Sequence, residues 1–120
     1  MIETTIISYL DGYLNPTPTP EGHVNIYVGM EQPTEMTNYV IVDKTGSSRA
    51  NHITTTTFAI QSYGPSLLKA LELSKTVETA MLNMVTLDEV TSVKLETDYN
   101  FTDTTTKQYR WQAVYQVTHY

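Results

Sequence analysis

Apolar residues at the start of the chain recur at helical spacing: Ile2, Ile6, Tyr9, Leu10 and Tyr13 share one side, with Glu3, Thr4, Ser8 and Asp11 mostly around the other. This predicts a short amphipathic helix that frays near Gly12. Asn15 to Gly22, NPTPTPEG, holds three prolines and a glycine, which neither a helix nor an interior strand tolerates, so a loop is expected. Beyond it HVNIYVG alternates Val24, Ile26 and Val28 on one face, and YVIVDK at Tyr39 to Lys44 is a second β-type run. Met30 to Asn38, with Pro33, reads as a loop or a long hairpin tip.

Thr45 to His52, TGSSRANH, reads as a turn-rich connection into Ile53 to Tyr63, ITTTTFAIQSY, where Phe58 and Ile60 share a face among β-branched threonines. Strands two and three are expected to form a hairpin. Gly64-Pro65-Ser66 then announces a helix reaching Met84, with proline suited to a first turn that needs no donor there. Leu67, Leu71, Val77, Met81 and Met84 are read as its apolar face, widened by Ala70, Leu73, Leu82 and Val85, with Lys69, Glu72, Lys75, Thr76 and Thr79 opposite. A face of that width can cover a sheet.

Two alternating runs follow. Val93, Leu95, Tyr99 and Phe101 alternate with Ser92, Lys94, Glu96 and Asp98, and Tyr109, Trp111, Tyr115 and Val117 with Arg110, Gln112 and Gln116. Their connection, Thr102 to Gln108, is too short for a helical crossover, so the pair is read as antiparallel. The expected fold is α+β: two helices packed on a mostly antiparallel sheet of about five strands, in the order α-β-β-β-α-β-β, forming a single domain over residues 1–120.

Composition narrows the partners. Seven Lys plus Arg against 13 Asp plus Glu give a net charge of -6, few cations with which to neutralise phosphates. Sequence-specific nucleic-acid binding is therefore not expected. The chain lacks cysteine, which excludes a disulfide scaffold, thiol catalysis and cysteine-ligated zinc. No apolar run is long enough to cross a bilayer, and the start MIETTIISYL carries Glu3 where a secretory leader has basic residues, so neither a membrane span nor conventional secretion is expected. Roughly twenty threonines favour strands without supplying chemistry.

Candidate chemistry is sparse. His23, His52 and His119 lie far apart and lack any HExxH-like pairing, so no metal site is expected. Asp98 and Asp103 flank the final connection and are read as turn caps ahead of a catalytic pair, which would need one carboxyl raised by an apolar pocket. Neither GxGxxG, GxxxxGK[ST] nor GxSxG occurs, leaving phosphate cradling and nucleophilic hydrolysis without a motif. Asn100-Phe101-Thr102 matches a glycosylation sequon, read as chance. No catalytic residue and no cofactor is assigned. What stands out is aromatic: nine tyrosines, two phenylalanines and one tryptophan, residues that serve interfaces as readily as cores, with Trp111 read as core.

The run VIVDKTGSSRANHITTTTFAIQSYGPSLLKALELSKTVETAML and the ending ETDYNFTDTTTKQYRWQAVYQVTHY carry a family pattern: a strand into a TG-containing turn, a strand ending in an aromatic, the helix KALELSKTVETAMLNM, and DYNFTD before a last aromatic strand. From Tyr39 onward, together with the N-terminal helix, the chain resembles the tail-terminator, or tail-completion, proteins of long-tailed bacteriophages. The resemblance implies a structural virion protein without enzymatic activity, assembled in the bacterial cytoplasm and located at the head-proximal end of the tail. It implies a ring, hexameric in that group, that docks on the tail tube, stops its polymerisation and meets the head connector, with genome DNA passing through.

The implied partners are further copies of the chain, the tail tube protein and a head-completion or connector protein. Contacts are expected on the loop around Lys44, Arg49, Asn51 and His52, where cations would meet a neighbour's carboxylates, the alternative being a solvated hairpin tip, and on Tyr99, Asn100 and Phe101. Another neck protein, a tail tube subunit, and more remotely a small ligand-binding module or enzyme are the other readings.

Overall fold

The computed structural model of the chain describes residues 2–15, 25–28, 39–102 and 109–120. The expected loops at 15–22 and 30–38 and the connection 102–108 lie largely outside those residues, as do His23 and Asp103.

The first helix, α1 (Ile2–Leu14), buries Ile2, Ile6 and Leu10, spaced four apart as one stripe of a helix requires. It continues through Gly12, and Asn15 closes it with its backbone N–H and its Nδ2 both bonded to Asp11, each at 2.9 Å. Tyr13, expected on the buried side, is 40% exposed.

The strands are β1 (Asn25–Val28), β2 (Tyr39–Ala50), β3 (Ile53–Gly64), β4 (Val90–Asn100) and β5 (Tyr109–His119), with α2 (Leu67–Asn83) and a single 3-10 turn at Met84–Thr86 between β3 and β4. The protein is α+β, as expected: two helices lie on one face of a sheet in which β2, β3, β5 and β4 are antiparallel neighbours in that spatial order. β1 joins beside β2 in parallel, pairing only Tyr39 to Val42. Parallel pairing excludes the hairpin considered for the 30–38 connection, because a hairpin returns its strand antiparallel.

The largest correction concerns β2. It does not stop at Lys44 but bulges at Thr45 and runs on to Ala50, so the expected turn TGSSRANH is strand except for its last two residues. Thr45 Oγ1 donates to the Thr57 carbonyl at the bulge. Asn51 and His52 have φ of 53° and 66°, the left-handed pair that a two-residue type I′ hairpin turn demands and that matches the strands' twist. The β-branched run Thr54 to Thr57 opposite provides the ladder that extends GSSRA.

Ser66 caps α2, its hydroxyl accepting from the Lys69 N–H at 3.2 Å, so Pro65 precedes the cap and stands outside the first turn. Gly64 lies where β3 hands over to this helix. A Cβ there would sit 2.8 Å from the Ala70 nitrogen, so only glycine allows the approach.

The helix turns a narrower and smaller face to the sheet than its leucines suggest: Ala70, Ser74, Val77, Ala80 and Met81 are buried, with Met84 following. Leu67, Leu82 and Val85, expected inside, are exposed, and Leu71 is only half-buried. Small residues let the helix lie close over the central strands β3 and β5. Against the two helices pack Val40, Val42, Phe58, Ile60, Ala113, Tyr115 and Val117, with Val93 and Leu95 at the side.

Candidate functional site

The seven residues expected at contacts separate into two groups. Lys44, Arg49, Asn51 and His52 follow β2 to the hairpin tip, and every residue from Lys44 to Ile53 is exposed. Through the register, Arg49 is level with Thr54, His119 and Val90. Asn100 is level with Trp111, Ser62 and Val40. The eight-residue step along β5 from Trp111 to His119 corresponds to roughly 27 Å along the strands, and β2 and β4 flank opposite sides of β3 and β5. The two groups therefore occupy diagonally opposite corners of the sheet and cannot act as one site.

At the hairpin corner, β1 stops at the level of Val42, so among the described residues nothing pairs with the outer edge of β2 from Asp43 to Ala50. Lys44 reaches back to Glu3 of α1 at 3.9 Å, an exposed pair of small energetic consequence. Arg49 makes no hydrogen bond or ion pair among the described residues.

The other corner is built as a network. Asn100 Oδ1 accepts from the Thr102 N–H at 3.0 Å and from its hydroxyl at 2.6 Å, an Asx-type turn that ends β4 and places Phe101. The Arg110 guanidinium lies 4.4 Å from the Phe101 ring centroid and 5.8 Å from that of Tyr63, and it donates to the Phe101 carbonyl and, at 3.0 Å, to the Tyr63 hydroxyl. Tyr63 stacks on Tyr39 with centroids 4.3 Å apart, and Tyr99 meets Phe101 edge to face.

From Arg110 a relay crosses the sheet face opposite the helices. The Tyr63 hydroxyl donates to Gln61 Oε1 at 2.7 Å, Gln61 Nε2 to Gln112 Oε1 at 2.8 Å, and Gln112 Nε2 to the Tyr99 hydroxyl. Each member fixes the next, so three strands hold Tyr99 and Phe101 in place while both stay 40% exposed. Sequence reasoning named Tyr99 to Phe101 but missed Arg110, Tyr63, Gln61 and Gln112. Their signal was the polar alternation of β5, which becomes a network only once the β3–β5 register is known.

Other expected residues are placed differently. Asp98 caps no turn: inside β4, it accepts from Trp111 Nε1 at 3.0 Å and faces Lys75 at 3.7 Å, and Lys75 also reaches Glu78 at 3.5 Å. Trp111 is half-buried at that margin and not in the core. His119, nearly buried, shares a 2.9 Å bond with the Thr56 hydroxyl, its other nitrogen lying 3.1 Å from the Tyr120 carbonyl. A carbonyl accepts only from N–H, so that nitrogen is the donor to Tyr120. His52 sits apart at the hairpin tip.

Tyr115 is fully buried and its hydroxyl lacks a partner among the described residues; burial first, then the charges of Glu78 and Asp98, raise its pKa. A phenol so placed keeps its proton and cannot act as a base. Among the described residues no group of three His, Cys, Asp or Glu could hold a metal ion, and no helix is long and apolar enough to cross a membrane. A scan against models of protein families finds no match to the chain, and a search of curated proteins likewise finds none.

Proposed function

We propose that this chain is a structural subunit of the neck of a long-tailed bacteriophage, a tail terminator that assembles as a ring on the tail tube, halts its growth and meets the head connector. The observation that supports this reading is the diagonal separation of two unlike exposed corners, one cationic and polar, the other aromatic and rigidly held. An isologous dimer uses one patch twice, whereas a closed ring of more than two copies needs two different complementary patches on each copy. Tyr99 and Phe101, exposed yet fixed by Arg110, have the composition of contact residues that lose little side-chain entropy on docking.

On this reading the chain works without catalysis, its partners being further copies, the tube protein and the head-completion protein. Each junction is weak alone, and the tube end templates closure by holding copies at high local concentration. Immuno-electron microscopy of particles should find the protein at the head-proximal end of the tail. Label along the whole tail would assign it to the tube instead, and a protein made in infected cells but missing from particles would overturn the proposal.

A further inference from the structure

We infer that successive copies overlap corner on corner, the helix-side surface of the β2–β3 hairpin in one copy lying against Tyr99 and Phe101 of the next, with Arg49 seated on the Tyr99 ring. The inference deepens the ring reading and rests on it for the assembly in which the contact serves.

The two corners lie on opposite faces of the sheet. Residues directly paired across antiparallel strands project to the same side. Arg49 is level with Thr54, His119 and Val90, and Ser47 with Thr56, Val117 and Val93. Val90 and Val117 belong to the core beneath the helices, so Arg49 and Ser47 share the helix side. Thr56 and Val117 are buried whereas Ser47 and Arg49 are exposed, so among the described residues the helix layer stops short of this end of β2. Tyr99 is level with Gln112 and Gln61 on the other face, where the relay holds it.

That placement decides the kind of joint. Patches on one face would meet only if a copy were turned over, and such an association stops at a pair. Patches on opposite faces let one copy lap over the next with every helix layer on the same side, so the step repeats along the sheet's diagonal, and a fixed rotation at each step closes a ring. β1 leaves room for the overlap. It lines β2 only from Tyr39 to Val42, so a neighbour lapped over Ser47 to Ala50 stays clear of it.

The chemistry of the two corners matches. Arg110 already lies 4.4 Å from the Phe101 centroid, so Tyr99, 40% exposed and edge to face with Phe101, is the ring left for a second guanidinium. Gln112 fixes the Tyr99 hydroxyl, so the ring is presented before the neighbour arrives. Glu96, exposed on the same strand, favours the approach of a cation.

The absence of native cysteine makes the test direct. Ser47→Cys on the hairpin and Thr97→Cys, two residues before Tyr99 on β4, place exposed thiols on the two sides of the joint. A short bismaleimide, applied to concentrated protein and to isolated particles, should convert the double variant into a ladder of linked multimers. A mixture of the two single variants should stop at a dimer. In the double-cysteine chain Arg49→Gln or Tyr99→Leu should lower the yield about tenfold, and both together no further, whereas Tyr99→Phe keeps the ring and should keep most of the yield. Three results would overturn the inference: either single variant forming dimers as readily, losses from Arg49→Gln and Tyr99→Leu that multiply, or a double variant unlinked both in solution and in particles. A ladder in solution from a protein absent from particles would uphold the corner contact and refute only the phage-neck reading.

Discussion

The two faces of the sheet are stabilised by different physics. On the helix side, Val40, Val42, Phe58, Ile60, Tyr115 and Val117 are buried beneath α1 and α2, and apolar area removed from water does the work. On the other side the outer half is a chain of amides, phenols and one guanidinium, beside a small buried cluster of Tyr39, Ile41 and Tyr63. The first face depends on volume and close packing and not on the direction of individual bonds. The second depends on each partner's direction, so it adds modest stability and much positional definition. A contact surface benefits from the second property.

Substitutions can test that contrast. The largest effect is expected on the helix side: Val77→Asp puts an unpaired charge where exposure is 1% and should abolish the cooperative unfolding transition. Leu71→Asp, one and a half turns earlier and half-buried, should leave a folded protein by circular dichroism; equal damage from both would mean that α2 is rotated from the orientation described. Next comes Gly64→Ala, whose Cβ meets backbone that cannot swing aside, with an expected loss of about 1–3 kcal/mol in urea unfolding.

On the open face, Arg110→Ala should cost about 1–2 kcal/mol while loosening Tyr99 and Phe101, visible as faster side-chain motion in their NMR signals. Unchanged order there would show that the relay is not what holds them. The smallest change at neutral pH is expected for Tyr115→Phe, which removes a buried hydroxyl without a partner among the described residues and should be neutral or slightly stabilising. Its signature lies in alkali. The folded pKa of Tyr115 is above the unfolded value of 10.0, so the unfolded chain releases that proton first, and stability falls as pH rises beyond about 10 by up to about 1.4 kcal/mol per unit. The Phe variant should lose that component of the slope.

These contrasts also explain what was legible in the sequence. The period-two runs of β4 and β5 and the apolar spacing of α1 carry their own burial, so element type and α+β class could be read from them. In α2 the bulky leucines advertised a face, yet close packing over β3 selected Ala70, Ser74 and Ala80, and Leu67 and Leu82 were left outside. Volume available at a contact is set by the partner strand and has no local code. GSSRA has turn-like composition and became strand because Thr54 to Thr57 offered a ladder, a tertiary influence that overrides propensity. Asn51-His52 lacks the glycine that usually announces a I′ turn. Of the contact residues, Tyr99 and Phe101 could be named from aromatic character, but their link to Arg110 and Gln112 depends on register across strands far apart in the chain.

The position of β5 in the sheet has a consequence for how the molecule is made. β2 and β3 are joined by two residues and can close within microseconds. β5 follows β4 in chain order yet inserts between β3 and β4, bringing together residues such as Gln61 and Gln112, 51 positions apart. During synthesis, β3 must wait with one side unpaired, and Phe58 and Ile60 without their β5 neighbours, until β5 has left the ribosome. Completion of the sheet is therefore a late, slow, long-range event, and until then the open edge of β3 is the surface most exposed to wrong pairing.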